Sequence, residues 1–235
     1  TAPLPAAPVS SPGDDMALSY HLQVVNLLAA VLLLISFAML SQRRIIGLVT
    51  LFAWQGAALV LSTGLVAWST GQHHLYYSAA LTLALKVIAM PWFFYRLVKK
   101  LDVDREVEPM INIPTTMLIG IVLVIFAFNL ALPISQMSGT VTRSTLGIAM
   151  ACVLLAFLMM ITRRKAITQV IGFLAMENGL FFAATSASYG MPLVVEMGVA
   201  LDVLVGVFVL GIFFFQIRET FDSLDLKHME KLKER

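Results

Sequence analysis

Seven stretches of about twenty apolar residues, separated by short polar clusters, run along this chain: roughly 20–41, 45–67, 76–98, 114–135, 144–162, 166–188 and 193–217. A helix needs about 20 such residues to cross the ~30 Å hydrocarbon layer of a bilayer. Every run is continuous or helix-periodic, and none has the alternate-residue pattern of an outer-membrane barrel strand. Composition closes the soluble alternative. With 59% hydrophobic and only 13% charged residues, the chain falls far below the roughly 25% charged content of a water-facing domain. The expected fold is all-α and integral to the membrane, with seven transmembrane helices.

The basic residues alternate from connection to connection. Arg43 and Arg44 occupy the first; Lys99, Lys100 and Arg105 the third, with Arg96 just inside its helix end; Arg163, Arg164 and Lys165 the fifth. Arg218, Lys227, Lys231, Lys233 and Arg235 follow the last run. The second and sixth connections hold no Lys or Arg, and the fourth holds only Arg143. The positive-inside rule then puts the N-terminus outside and the C-terminus in the cytoplasm. The opening "TAPLPAAPVSSPGDD" has no basic region or apolar block of a signal peptide. It reads as an extension ahead of a start at Met16 or as a native flexible tail, and the sequence leaves both open.

Redox chemistry has little to work with. Cys152 is the sole cysteine, so the chain cannot by itself supply the four thiolates an iron–sulfur cluster usually takes. No Cys/His spacing suits a metal, and the adjacent imidazoles of His73 and His74 point apart on a helix. No catalytic centre and no metal site are expected, and the thirteen methionines read as bundle packing.

The chain also contains an internal duplication. "RRIIGLVTLFAWQGAALVLSTG" (43–64) and "KAITQVIGFLAMENGLFFAATS" (165–186) both follow basic residues, and both place an amide before a glycine at the same depth: Gln55-Gly56 and Asn178-Gly179. The next runs, "LTLALKVIAMPWFFYRLVKKLDVD" and "GVALDVLVGVFVLGIFFFQIRETFDSLD", each end in aromatics, an arginine and an Asp-containing tail. Spans one to three thus resemble spans five to seven. Four spans separate equivalent helices, so the copies run parallel, with span four as the joiner. The expected layout is a flexible tail over 1–19, a first repeat over 20–105, a joining helix in 106–142, a second repeat over 143–217 and a charged cytoplasmic tail over 218–235.

Few ionisable groups interrupt the spans: Lys86, Glu177 and Asp202, with Glu196 nearer a helix end. A charge at the bilayer centre costs about 2.5–3.5 kcal/mol on the most lenient scale, so such groups are expected to be paired, hydrated or neutral. Phe173 and Phe181 lie one turn before and after Glu177, on its own helix face. A carboxyl walled by rings is hard to keep charged and suits uptake and release of a proton. Asn178 and Gln55 add supporting polarity. Asp202 lies between Gly198 and Gly206, a groove open to a neighbouring helix. Lys86 and Asp202 occupy matching positions of the two copies, which invites a pair between them. Pro91 follows Lys86 by five and cannot donate to the carbonyl of Val87. The structural reading of the same residues is glue between helices or subunits.

"MENG" (176–179), "LALKVIAMPW" (83–92) and the "ALDVLVGV…DSLDL" ending carry a resemblance that spans 20–235. The chain resembles the hydrogenase-4 component E family, a membrane subunit of formate hydrogenlyase-type nickel–iron hydrogenases. Its C-terminal half is similar to the K subunit of bacterial complex I and to the C subunit of multisubunit cation/proton antiporters. The resemblance puts Asp202 where the K-type subunit carries its third-helix glutamate. The K-type second-helix glutamate falls instead at Leu174, one turn before Glu177. It implies a multi-pass subunit of the bacterial cytoplasmic membrane with no cofactor of its own, the nickel–iron and iron–sulfur centres residing on partner chains. The implied partners are large antiporter-like subunits, a quinone-site (H-type) membrane subunit and a peripheral redox arm, with no nucleic acid. Glu177, Asp202 and Lys86 would serve proton translocation, supported by Asn178, Gln55 and Glu196. The rival readings are a C-type antiporter subunit without a redox arm and a purely structural spacer.

Overall fold

A computed structural model describes residues 12–71, 73–100, 109–138 and 143–188. The chain divides into two compact units, Thr1–Val195 and Glu196–Arg235, and all described residues belong to the first. The seventh apolar run, with Asp202 and Glu196, lies outside them.

The described residues are helical apart from short connections. They form α1 (Pro12–Ser41), α2 (Ile45–Thr70), a third rod built from α3 (His73–Thr82), a π-helical segment (Leu83–Ala89) and α4 (Met90–Lys100), then α5 (Ile113–Ser138), α6 (Arg143–Thr162) and α7 (Ala166–Ser188). Six stretches are long and apolar enough to cross a membrane, and the third rod is one of them, as Leu75–Lys99. Helix α1 starts at Pro12, ahead of the apolar run; a proline is well tolerated at a first helical position because its missing N–H has no partner there anyway. Helix α2 ends on Gly71 with φ 66°, a left-handed turn that a side chain resists.

Four helices make the centre. Ala29 and Leu32 of α1, Ala58 and Leu59 of α2, Ile148, Ala149 and Cys152 of α6, and Phe181 and Phe182 of α7 pack into one buried cluster. The small residues bring the helix axes close, as association within lipid requires. Among the described glycines, neighbouring backbone comes nearest at Gly179: a Cβ there would stand 3.2 Å from the Val153 backbone nitrogen and 3.3 Å from Cys152 Cβ. Helix α5 lies outside this centre, touching Leu155, Leu40 and Phe37 at Gly120. Its Leu118, Ile121, Val122, Ile125 and Phe126 are exposed, the ordinary condition of a helix face turned to lipid.

A buried arginine joins two turns at one end. Arg163 Nη2 donates to the carbonyl oxygens of Leu40 (2.7 Å) and Gln42 (3.0 Å), where α1 ends. A cation at a helix C-terminus meets the negative end of its dipole. Burial pushes this guanidinium below its ordinary value, though an arginine stays charged at any cellular pH. Pro109 pairs with Arg163 as an isolated antiparallel bridge, and Met110 N–H donates to Thr162 O at 2.8 Å.

Candidate intramembrane polar site

Lys86 and Glu177 meet. Nζ of Lys86 stands 3.5 Å from Oε1 of Glu177, with the side chains 2% and 3% exposed. One comes from the π-helical segment of the third rod and the other from the middle of α7. Two charges in a dry bundle would each be prohibitive alone; side by side they offset much of that penalty. The separation exceeds the ~2.7–2.9 Å of a tight charge-assisted hydrogen bond. Phe181, one turn after Glu177, is buried, and its ring centroid lies 5.8 Å from Lys86 Nζ.

The π-helical segment follows from the sequence. Pro91 has no N–H, and its ring clashes with a carbonyl four residues back, so the preceding turn cannot wind as ordinary α-helix. The backbone widens instead: Met90 N–H donates to Leu85 O, five residues back. Such widened turns often lie at functional positions. Gly56 of α2 makes room beside it, since a Cβ there would stand 3.4 Å from Lys86 Cβ and 3.3 Å from Val87 Cγ2.

Next to the pair, a row of amides crosses the centre. Asn178 Nδ2 donates to Gln55 Oε1 at 3.1 Å; Gln55 Nε2 donates to Ser36 Oγ at 3.1 Å; Ser36 Oγ donates to Leu32 O at 2.9 Å. All are buried. The row ties α7, α2 and α1 together and ends one residue from Glu177. Asn178 Oδ1 has no hydrogen-bond donor among the described residues.

Of the residues singled out in the sequence, Lys86, Glu177, Asn178 and Gln55 come together. Asp202 and Glu196 lie outside the described residues, and with them the Lys86–Asp202 pairing. Within the described residues the carboxylate beside Lys86 is Glu177. Asn26 and Asn129 are exposed and take no part; Asn129 Nδ2 donates to its own helix at Ile125 O, 2.8 Å away. Ser36 escaped the sequence reading because one serine in an apolar run carries no signal. Ser78 and Thr82 stand eight and four residues ahead of Lys86, a spacing visible in the sequence.

Among known proteins, the chain is 33% identical over 212 residues to a Mycobacterium tuberculosis protein described as uncharacterized protein Rv0085, covering 90% of this chain and 96% of that one. It is 22% identical over 210 residues to hydrogenase-4 component E of Escherichia coli K12, covering 89% and 97%, with the same figures for the Shigella flexneri protein of that description. The fold and the site define a multi-pass membrane protein with a buried charge pair at its centre. The chain belongs to the family of the mycobacterial protein and is a distant homologue of hydrogenase-4 component E. No family model matches it, and no solved structure does.

Proposed function

We propose that this chain is a non-redox membrane-arm subunit of a complex I-related, hydrogenase-4-like complex in the bacterial cytoplasmic membrane, and that it contributes buried ionisable groups to proton translocation. The observation that carries the reading is the Lys86–Glu177 pair, enclosed by helices and flanked by the Asn178–Gln55–Ser36 row. A pair of this kind holds a proton in two ways. While Lys86 stands beside it, the Glu177 carboxylate has a counter-charge; when Lys86 is drawn away, the stranded carboxylate accepts a proton at Oε1 or Oε2. The amide row orients the neighbouring side chains without titrating itself. Asp202 and Glu196, in the seventh apolar run of the sequence, are the further carboxyl groups assigned to proton translocation in this reading. Electrons pass on partner chains, through nickel–iron and iron–sulfur centres beside a quinone-site subunit, and the large antiporter-like subunits complete the proton route.

The resemblance to hydrogenase-4 component E over most of the chain supports this reading against a spacer. Its test is biochemical. A tagged chain purified from mild detergent should bring hydrogenase-like and quinone-site subunits with it; antiporter subunits alone would favour the C-type antiporter reading. In the assembled complex, Glu177→Gln and Asp202→Asn should each lower protons moved per turnover while leaving assembly intact. Normal pumping in both variants would reject the relay.

A further inference from the structure

Serines and threonines inside membrane helices have a standard refuge: the hydroxyl donates to the carbonyl four residues back on its own helix. Ser36, Thr50, Thr63, Thr162 and Thr185 all do so here, at 2.8–3.0 Å. Ser78 and Thr82 do not. Both are buried, at 3% and 2% exposure, yet Ser78 Oγ and Thr82 Oγ1 have no hydrogen-bond partner among the described residues. A hydroxyl that forgoes its own backbone and is out of reach of bulk solvent needs another partner, and water is the one small enough.

These two hydroxyls stand in line with the charge pair. Ser78 and Thr82 are one turn apart on α3, and Lys86 follows one turn later in the π-helical segment. In an α-helix four residues overshoot a turn by about 40°. In a wider π turn four residues fall short of one. The two departures offset each other, so the widened segment returns Lys86 to the face that carries Ser78 and Thr82. Successive members are about 6 Å apart along the axis, a gap that one or two waters bridge. The unpartnered Asn178 Oδ1 lies at the far end, beside Glu177. Pro91 adds a carbonyl lacking its usual backbone donor just beyond.

We propose that this face of the third rod, closed in this structure, admits water from the His73 end and forms a passage to the Lys86–Glu177 pair. Protons are the cargo if the function proposed above holds; the passage itself requires only water. By the distribution of basic residues the His73 end is the outer one, so the passage connects the pair to the external side.

Cysteine scanning in the intact complex tests it. Cys152 is buried and is the sole cysteine of this chain, so Cys152→Ala leaves this chain without a thiol, and labelling is read on this chain after its separation from the partners. On it, Ser78→Cys and Thr82→Cys, both conservative in size, should react with a small, charged, membrane-impermeant thiol reagent. Ala79→Cys, buried on the adjoining face, is the dry control. The expected rate is about tenfold above that control, because attack requires a thiolate and a thiolate requires water. Reaction should occur only with reagent on the His73 side, faster at Ser78 than at Thr82. Labelling no faster than at Ala79→Cys, or labelling from the opposite side alone, overturns the passage. Labelling as expected in a complex whose Glu177→Gln variant pumps normally supports the passage and removes its proton cargo. The two failures are therefore separable.

Discussion

Glu177 and Lys86 depend on each other. Removing one partner of a buried pair usually costs about 3–5 kcal/mol because the other charge is stranded, and here the stranded group has an escape in gaining or losing a proton. Lys86→Met should therefore destabilise the protein, with Glu177 neutral in the variant. The double substitution Lys86→Met/Glu177→Leu should lose less than the sum of the two single changes, leaving a coupling of about 0.5–3 kcal/mol. Resistance to denaturing detergent, compared across the four proteins, measures it; strict additivity would mean that the two side chains do not interact. The amide row sets a smaller figure. Gln55→Leu removes an acceptor from Asn178 and a donor to Ser36, and interhelical hydrogen bonds in membranes are worth about 0.6–2 kcal/mol each. The same unfolding assay should register a loss of about 1–2 kcal/mol. At this scale the sequence was partly readable. An isolated Glu, Lys or amide in an apolar run announces itself by its transfer cost, so Glu177, Lys86, Gln55 and Asn178 stood out. Which carboxylate faces Lys86 could not be read that way, because repeat alignment matches Lys86 to Asp202 and says nothing of contacts between copies.

Among the elements, the third rod departs most from regular geometry. Its proline was legible and the freed backbone with it; the seven-residue π-helical segment was not, since hydrophobic periodicity in a wholly apolar run carries no phase. Pro91→Ala restores the missing N–H and lets the rod wind as continuous α-helix, turning Lys86 away from Ser78 and Thr82. The expected outcome is equal or greater thermal stability with reduced proton movement per turnover. Unchanged translocation would show that the register of this rod is immaterial. The contact between α6 and α7 is tight for a different reason. A methyl at position 179 meets the Val153 backbone, which cannot move aside as a side chain can. Gly179→Ala should thus cost about 1–3 kcal/mol, the usual range for overpacking, read as a lower unfolding temperature. Arg163 shows what charge counting conceals. It contributes to the basic alternation along the chain, yet its guanidinium is buried against the end of α1. Lys carries its charge on a more strongly hydrated ammonium, which is costlier to bury than a guanidinium, so Arg163→Lys should destabilise this joint despite keeping the charge.

For the molecule as a whole, the six described spans fall close to the runs read from the sequence, because length and apolarity alone decide which segments cross a bilayer. Sidedness is expected from a different quantity, the placement of Lys and Arg, and it carries its own prediction. With seven spans, reporter fusions should find the N-terminus outside and the C-terminus in the cytoplasm; both ends on one side would require an even number. The two amides that precede a glycine in the similar runs 43–64 and 165–186 are bonded to each other, Asn178 Nδ2 donating to Gln55 Oε1. The account stands on Glu177 changing its protonation while the complex works. Infrared difference spectra of the energised and resting complex address this directly. A carboxylic-acid band that changes on energisation and disappears in Glu177→Gln is the predicted result, and an identical difference spectrum in that variant would contradict it.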